Sequence, residues 1–172
     1  MKKSSTFKFT LCAIYSALGI LSFMLENLFP PLFIPGARLG ISNVFILLAT
    51  VTLGYTYGLT VLIIKTLFGS LFSGNVSALL YSLPSGIISL SLETLLLLAI
   101  DRISIVAVSV AGGVINVTVQ NAIFCAVTKT AEVMVYLPYY ALIGIIGGAA
   151  VGFIVYLIIN KLPEKLLTAK EK

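Results

Sequence analysis

Phe29-Pro30-Pro31-Leu32-Phe33-Ile34-Pro35-Gly36-Ala37-Arg38-Leu39-Gly40-Ile41-Ser42-Asn43 interrupts an otherwise oily chain with three of its six prolines and an arginine. Proline lacks a backbone N–H and bars the residue before it from helical torsions, so no spanning helix passes through this stretch. Everything before and after it reads as membrane helix. The stretch is therefore expected to be a shaped, non-helical connection, which with the helix ends around it forms an outward-facing recognition site.

Composition points the same way. Hydrophobic residues make up 59% of the 172 positions and charged residues 10%, with a mean hydropathy of +1.13. Soluble domains carry about 25% charged residues. At about 20 to 25 residues per span, the chain has room for about six helices in one membrane domain, residues 1–172, and for no separate soluble domain. The net charge of +5 does not describe a nucleic-acid surface, because the lysines collect at the two ends: Lys2, Lys3 and Lys8 before the first apolar run, and Lys161, Lys165, Lys170 and Lys172 after the last. That is the positive-inside pattern, which predicts cytoplasmic termini, an even number of spans and a multi-pass protein of the cell membrane. Cys12 and Cys125 lie in apolar runs without ligand spacing and there is no histidine, so both cysteines read as small core residues and no metal or cofactor is expected.

In order, the first span runs from Phe9 to Leu28 and reads as a span rather than a cleaved signal. Ala13 and Ala17 within it make a small-xxx-small step that lets another helix approach closely, either inside the bundle or from another subunit. Two short runs follow, Leu39 to Leu53 and Leu59 to Phe72, separated by Gly54-Tyr55-Thr56-Tyr57-Gly58. Runs this short are expected either to borrow flanking residues or to sit sheltered in the bundle, where such segments commonly line a cavity. A fourth span from Val76 to Ile100 contains Pro84, a fifth covers Ile103 to Val127, and a sixth from Tyr136 to Ile159 carries Gly144, Gly148 and Gly152 at four-residue spacing, a flat face for close packing.

Span order converts sequence position into depth. Counted this way, Lys65 and Glu93 both fall about 10 Å from the cytoplasmic boundary. Opposite charges at equal depth predict an intramembrane ion pair, with snorkelling of Lys65 as the alternative. In the outer half, Arg38, Asn43, Tyr81, Asn116, Gln120 and Asn121 converge. Amides at such depth need internal partners or a wet cavity, and the cluster predicts a substrate site in which Arg38 grips a carboxylate or phosphate with both arms of its guanidinium. Enzyme chemistry finds little here, because the six acidic residues are scattered and there is no phosphate loop with its lysine.

Four stretches, Pro35-Gly36-Ala37-Arg38-Leu39-Gly40-Ile41-Ser42-Asn43, Lys65-Thr66-Leu67-Phe68-Gly69-Ser70, Tyr81-Ser82-Leu83-Pro84-Ser85-Gly86 and Gly112-Gly113-Val114-Ile115-Asn116-Val117-Thr118-Val119-Gln120, resemble the Gx transporter family, also named heptaprenyl diphosphate synthase component I. The resemblance covers nearly the whole chain. That family is similar in turn to the substrate-binding S components of energy-coupling factor (ECF) transporters. The likeness implies six helices, cytoplasmic termini, an outward pocket covered by the loop after the first helix, and a small-xxx-small motif contacting a transmembrane coupling subunit, which Ala13 and Ala17 match. One departure is that relatives carry a His-Asn pair before the fifth-helix glutamine, where this chain has Asn116 and Val117 before Gln120.

These readings set two expectations. The first is an all-α, S-component-like bundle that captures a small vitamin-like or cofactor-precursor molecule from outside and works with a coupling subunit and cytoplasmic ATPases. The second is a non-catalytic accessory protein of quinone or polyprenyl supply, or of extracytosolic flavin electron transfer. Synthase activity itself is not expected, since magnesium and a diphosphate are held by clustered carboxylates and Asp101 is the only aspartate.

Overall fold

In a bilayer every backbone polar group must be satisfied within the protein, which leaves helices as the way for an apolar chain of this kind to cross. The computed structural model describes residues 5–28, 40–74 and 76–162, and all its regular elements are helical. They are α1 (Ser5–Leu28), α2 (Asn43–Leu53), α3 (Tyr55–Phe72), α4 (Leu79–Ala99), α5 (Ile105–Thr128) and α6 (Leu137–Lys161), with short 3₁₀ turns at Val76–Ala78 and Ala131–Tyr136. Five of the six are long and apolar enough to cross a membrane, and α2 is the exception. The protein is a polytopic helical membrane bundle. Arg38 and most of the proline-rich stretch, 29–39, lie outside the described residues, as does Asn75.

At 11 residues α2 is only about 16 Å long. It is also the most enclosed helix, with nine of those residues buried, so α1, α3 and α6 shield it from lipid. Of the two short runs, α2 is the sheltered one, and the second borrows flanking residues. The turn between the runs is a single residue, Gly54, at φ 103, a torsion that a side chain disfavours. Its N–H caps Thr50, and helix resumes at once at Tyr55, so Tyr55 and its neighbours join α3 and give it 18 residues.

Close contacts fix the packing directions. A Cβ at Gly19 would touch Lys65 and one at Gly69 would strike Phe23, so α1 and α3 run parallel, while Gly58 lies against Thr50 and Ile46 in antiparallel α2. Helix α4 bridges α3, through Gly86 against Leu62, and α5, through Glu93 against Gly112. On α6 the glycine stripe does what its spacing predicts. Gly144 packs on Gly113, Gly148 on Ser109 and Val110, and Gly152 on Val106, backbone to backbone and antiparallel. Contact between α2 and α6 closes the ring, leaving α1 on the periphery against α2 and α3.

Polar side chains within the spans mostly bond back to their own helix. Ser16, Thr50, Thr52 and Thr94 each donate to the carbonyl four residues earlier, at 2.6–2.9 Å, which satisfies a hydroxyl without a neighbour. The outer surface is studded with exposed Leu80, Leu95, Leu98, Ile146 and Phe153. An apolar surface of that extent suits hydrocarbon rather than water.

Candidate functional site

The bundle keeps a cavity of about 50 Å³ between α2, α3, α4, α5 and α6. One water needs only about 10–15 Å³ of such space, so the cavity holds several waters or the polar head of a larger molecule. Its apolar walls include Ile46, Leu62, Leu90 and Val151. Gly113, Gly144, Gly147 and Gly148 also line it, so backbone rather than side chains forms part of the wall. The polar groups at the cavity are Asn43, Ser89, Glu93, Ser109 and Asn116.

Their partners differ in kind. Ser89 donates its hydroxyl to the Gly112 carbonyl at 2.8 Å. The Asn116 Oδ1 is buried and has no hydrogen-bond partner. Glu93 is half-buried and makes no hydrogen bond or ion pair among the described residues. Its Oε1 presses on the Cα of Gly112 so closely that a Cβ there would come within 1.9 Å. An ionisable side chain inside a span costs about 2.5–3.5 kcal/mol on insertion scales, and such groups usually face a functional cavity.

Asn43, at the first turn of α2, also belongs to a second polar cluster. Its Oδ1 accepts from Lys65 Nζ at 2.7 Å, and Lys65 donates as well to Ser42 Oγ at 3.1 Å. Ser42 Oγ in turn donates to Glu26 Oε2 at 3.2 Å, while Glu26 Oε1 accepts from the Ile41 and Ser42 N–H groups. Lys65 is 4% exposed and its ammonium lies 5.7 Å from the centroid of the Phe23 ring. A carboxylate, a hydroxyl, an ammonium and an amide thus form one chain from the end of α1 to the edge of the cavity. This arrangement corrects the expected Lys65–Glu93 pair. Because α3 starts at Tyr55 rather than Leu59, Lys65 lies ten residues along it, about 15 Å, whereas Glu93 is six residues, about 9 Å, from the end of α4. Lys65 reaches the α1–α2 junction and Glu93 faces the cavity instead.

Of the other residues expected at the site, Asn116 lines the cavity together with Asn43. Tyr81 is half-buried and meets Phe124 edge to face at 5.8 Å. Asn121 is buried one turn before Cys125, whose thiol lies 4.0 Å from its Oδ1, and its amide nitrogen has no partner. Gln120 is half-buried and, with Tyr81 and Asn121, is not among the cavity-lining residues. Ala13 and Ala17 are both exposed on the outer face of α1, so their step serves no packing inside the bundle. Glu26, Ser42, Ser89 and Ser109 were missed. Glu26 had a legible signal, an acid at the end of a span, whereas serines in apolar helices carry no sign of which face they occupy.

A family profile described as Heptaprenyl diphosphate synthase component I matches residues 15–158. No curated protein and no solved structure matches the chain. The matched region spans all six helices in part or whole. The chain belongs to the heptaprenyl diphosphate synthase component I family.

Proposed function

We propose that this member of the heptaprenyl diphosphate synthase component I family is the substrate-binding subunit of an ECF-type importer, and that the cavity between α2 and α6 receives the polar head of a small vitamin-like or cofactor-precursor molecule. The observation that carries this reading is Asn116. A buried amide oxygen with no partner, on a residue that lines a polar cavity in the middle of a membrane bundle, is costly unless a ligand or water meets it. In this reading both termini are cytoplasmic, the cavity is reached from outside past the 29–39 connection, and Arg38 holds an anionic group of the ligand. ATP hydrolysis belongs to cytoplasmic ATPases, linked through a coupling subunit that docks on α1.

The exposed Ala13 and Ala17 support that docking, because small residues on a lipid-facing helix let a partner helix approach. Co-expression with candidate coupling subunits tests it. Ala13→Leu with Ala17→Leu should abolish the purified complex while ligand binding stays intact, and an unimpaired complex would reject the docking face. For Arg38, alanine substitution should weaken ligand binding at least tenfold; unchanged affinity would reduce the loop to a connector.

The family description favours a second reading, a non-catalytic accessory protein beside a polyprenyl synthase. What co-purifies in detergent separates the two: a coupling subunit with ATPases, or a soluble prenyl or flavin enzyme. With one aspartate in the whole chain, catalysis of prenyl transfer by this subunit alone is not proposed under either reading.

A further inference from the structure

We infer that the cavity recognises a protonated amine, with Glu93 as its counter-charge and Asn116 Oδ1 as a second acceptor. The inference rests on the cavity being a ligand site and names the chemistry of what enters it. The cavity's polar groups include three acceptors that no donor among the described residues saturates. Glu93 offers a carboxyl that no described residue engages, Asn116 offers an unpartnered oxygen, and Ser89 presents its remaining lone pairs because its proton is given to Gly112. Ser109 also lines the space, and its hydroxyl makes no hydrogen bond among the described residues. An ammonium group carries up to three donors and a positive charge, and so complements this set.

Lys65, the described cation bonded to Asn43, does not cancel that preference. It is not among the cavity-lining residues and is faced, across the Ser42 hydroxyl, by the carboxylate of Glu26. The described residues contain no group of three or more acidic, histidine or cysteine side chains that could hold a metal ion, so a multivalent metal is a poorer fit than a monovalent organic cation. Size agrees, since a space of about 50 Å³ admits a small ammonium head. The walls of Ile46, Leu62 and Val151 would cover the carbon that carries it.

The test uses the purified full chain in lipid nanodiscs, with methylammonium chloride as probe and sodium chloride at the same concentration as the matched control. Thermal unfolding should shift upward with methylammonium and saturate, since a ligand that binds only the folded state stabilises it. Glu93→Gln keeps the side chain's shape and should weaken the apparent affinity at least tenfold. Asn116→Leu should weaken it as well, and serves as the second variant if Glu93→Gln fails to fold. Equal stabilisation by sodium would assign the site to an alkali ion and overturn the inference. So would undiminished binding by folded Glu93→Gln or Asn116→Leu, or the absence of any shift with the wild type. The importer reading fails independently: amine binding with no ATP-driven uptake by a reconstituted complex would sink that reading and leave this inference standing. Uptake of a neutral or anionic molecule unaffected by Glu93→Gln would do the reverse.

Discussion

Lys65 and Gly112 carry the sharpest consequences at the scale of single residues. Lys65 is buried and gives two hydrogen bonds from a charged donor. Lys65→Met keeps most of the volume but strands the Asn43 oxygen and leaves Ser42 bonded to Glu26 alone. Losing charged hydrogen bonds of this kind should cost about 3 kcal/mol, read by reversible unfolding in detergent. A loss below about 0.5 kcal/mol would mean that the chain from Glu26 to Asn43 contributes little. At Gly112 an added methyl would meet three atoms of Glu93 within 2.6 Å, including Cγ near the root of the side chain. Gly112→Ala should therefore displace the carboxyl from the cavity and mimic Glu93→Gln in methylammonium binding, whereas unaltered binding would separate Glu93 from the site.

Among the helices, α5 and α6 are joined most intimately. A Cβ at Gly148 would come within 2.5 Å of the Ser109 carbonyl and 2.8 Å of the Val110 Cα, backbone atoms that cannot swing aside. Gly148→Ala should force the two helices apart at a cost of about 1–3 kcal/mol, seen as a lower unfolding midpoint. An unchanged midpoint would mean that the interface is loose. The same glycine face lines the cavity, so packing and binding share one surface. A sequence pattern of spaced glycines conveys the first role, while the second depends on how far α2 and α4 stand from that face. In α2, burial rather than length decides its place: 11 residues are too few to span alone, and neighbours on three sides supply the shelter.

For the whole molecule, the alternating direction of six helices puts the α2–α3 and α4–α5 turns at one end and the α3–α4 and α5–α6 connections at the other. With cytoplasmic termini, Asp101→Cys in a background lacking Cys12 and Cys125 should react with a membrane-impermeant maleimide only after lysis. Glu132→Cys should react on intact cells. The opposite pattern would invert the protein and place the 29–39 connection in the cytoplasm, which would remove the basis for capture from outside. Both positions are exposed, so accessibility to the reagent depends on the side of the membrane rather than on burial.

By itself the sequence determined the class of protein, the number of helices and the neighbourhood of each break. These follow from hydropathy and from the local effects of proline and glycine, which act over a few residues. It also singled out Asn43 and Asn116, which both line the cavity, and the glycine stripe of α6 as a packing face. Only the tertiary structure decided which polar groups meet. Depth was read from apparent span boundaries, and an error of four residues at the start of α3 is more than a full helical turn, about 6 Å. That was enough to pair Lys65 with Glu93 on paper, while in the bundle Lys65 bonds Ser42 and Asn43 and Glu93 faces the cavity. The side of a helix that a residue occupies is legible where one face meets water, but in lipid both faces are apolar and periodicity falls silent. Contacts between helices then have to supply what the pattern cannot.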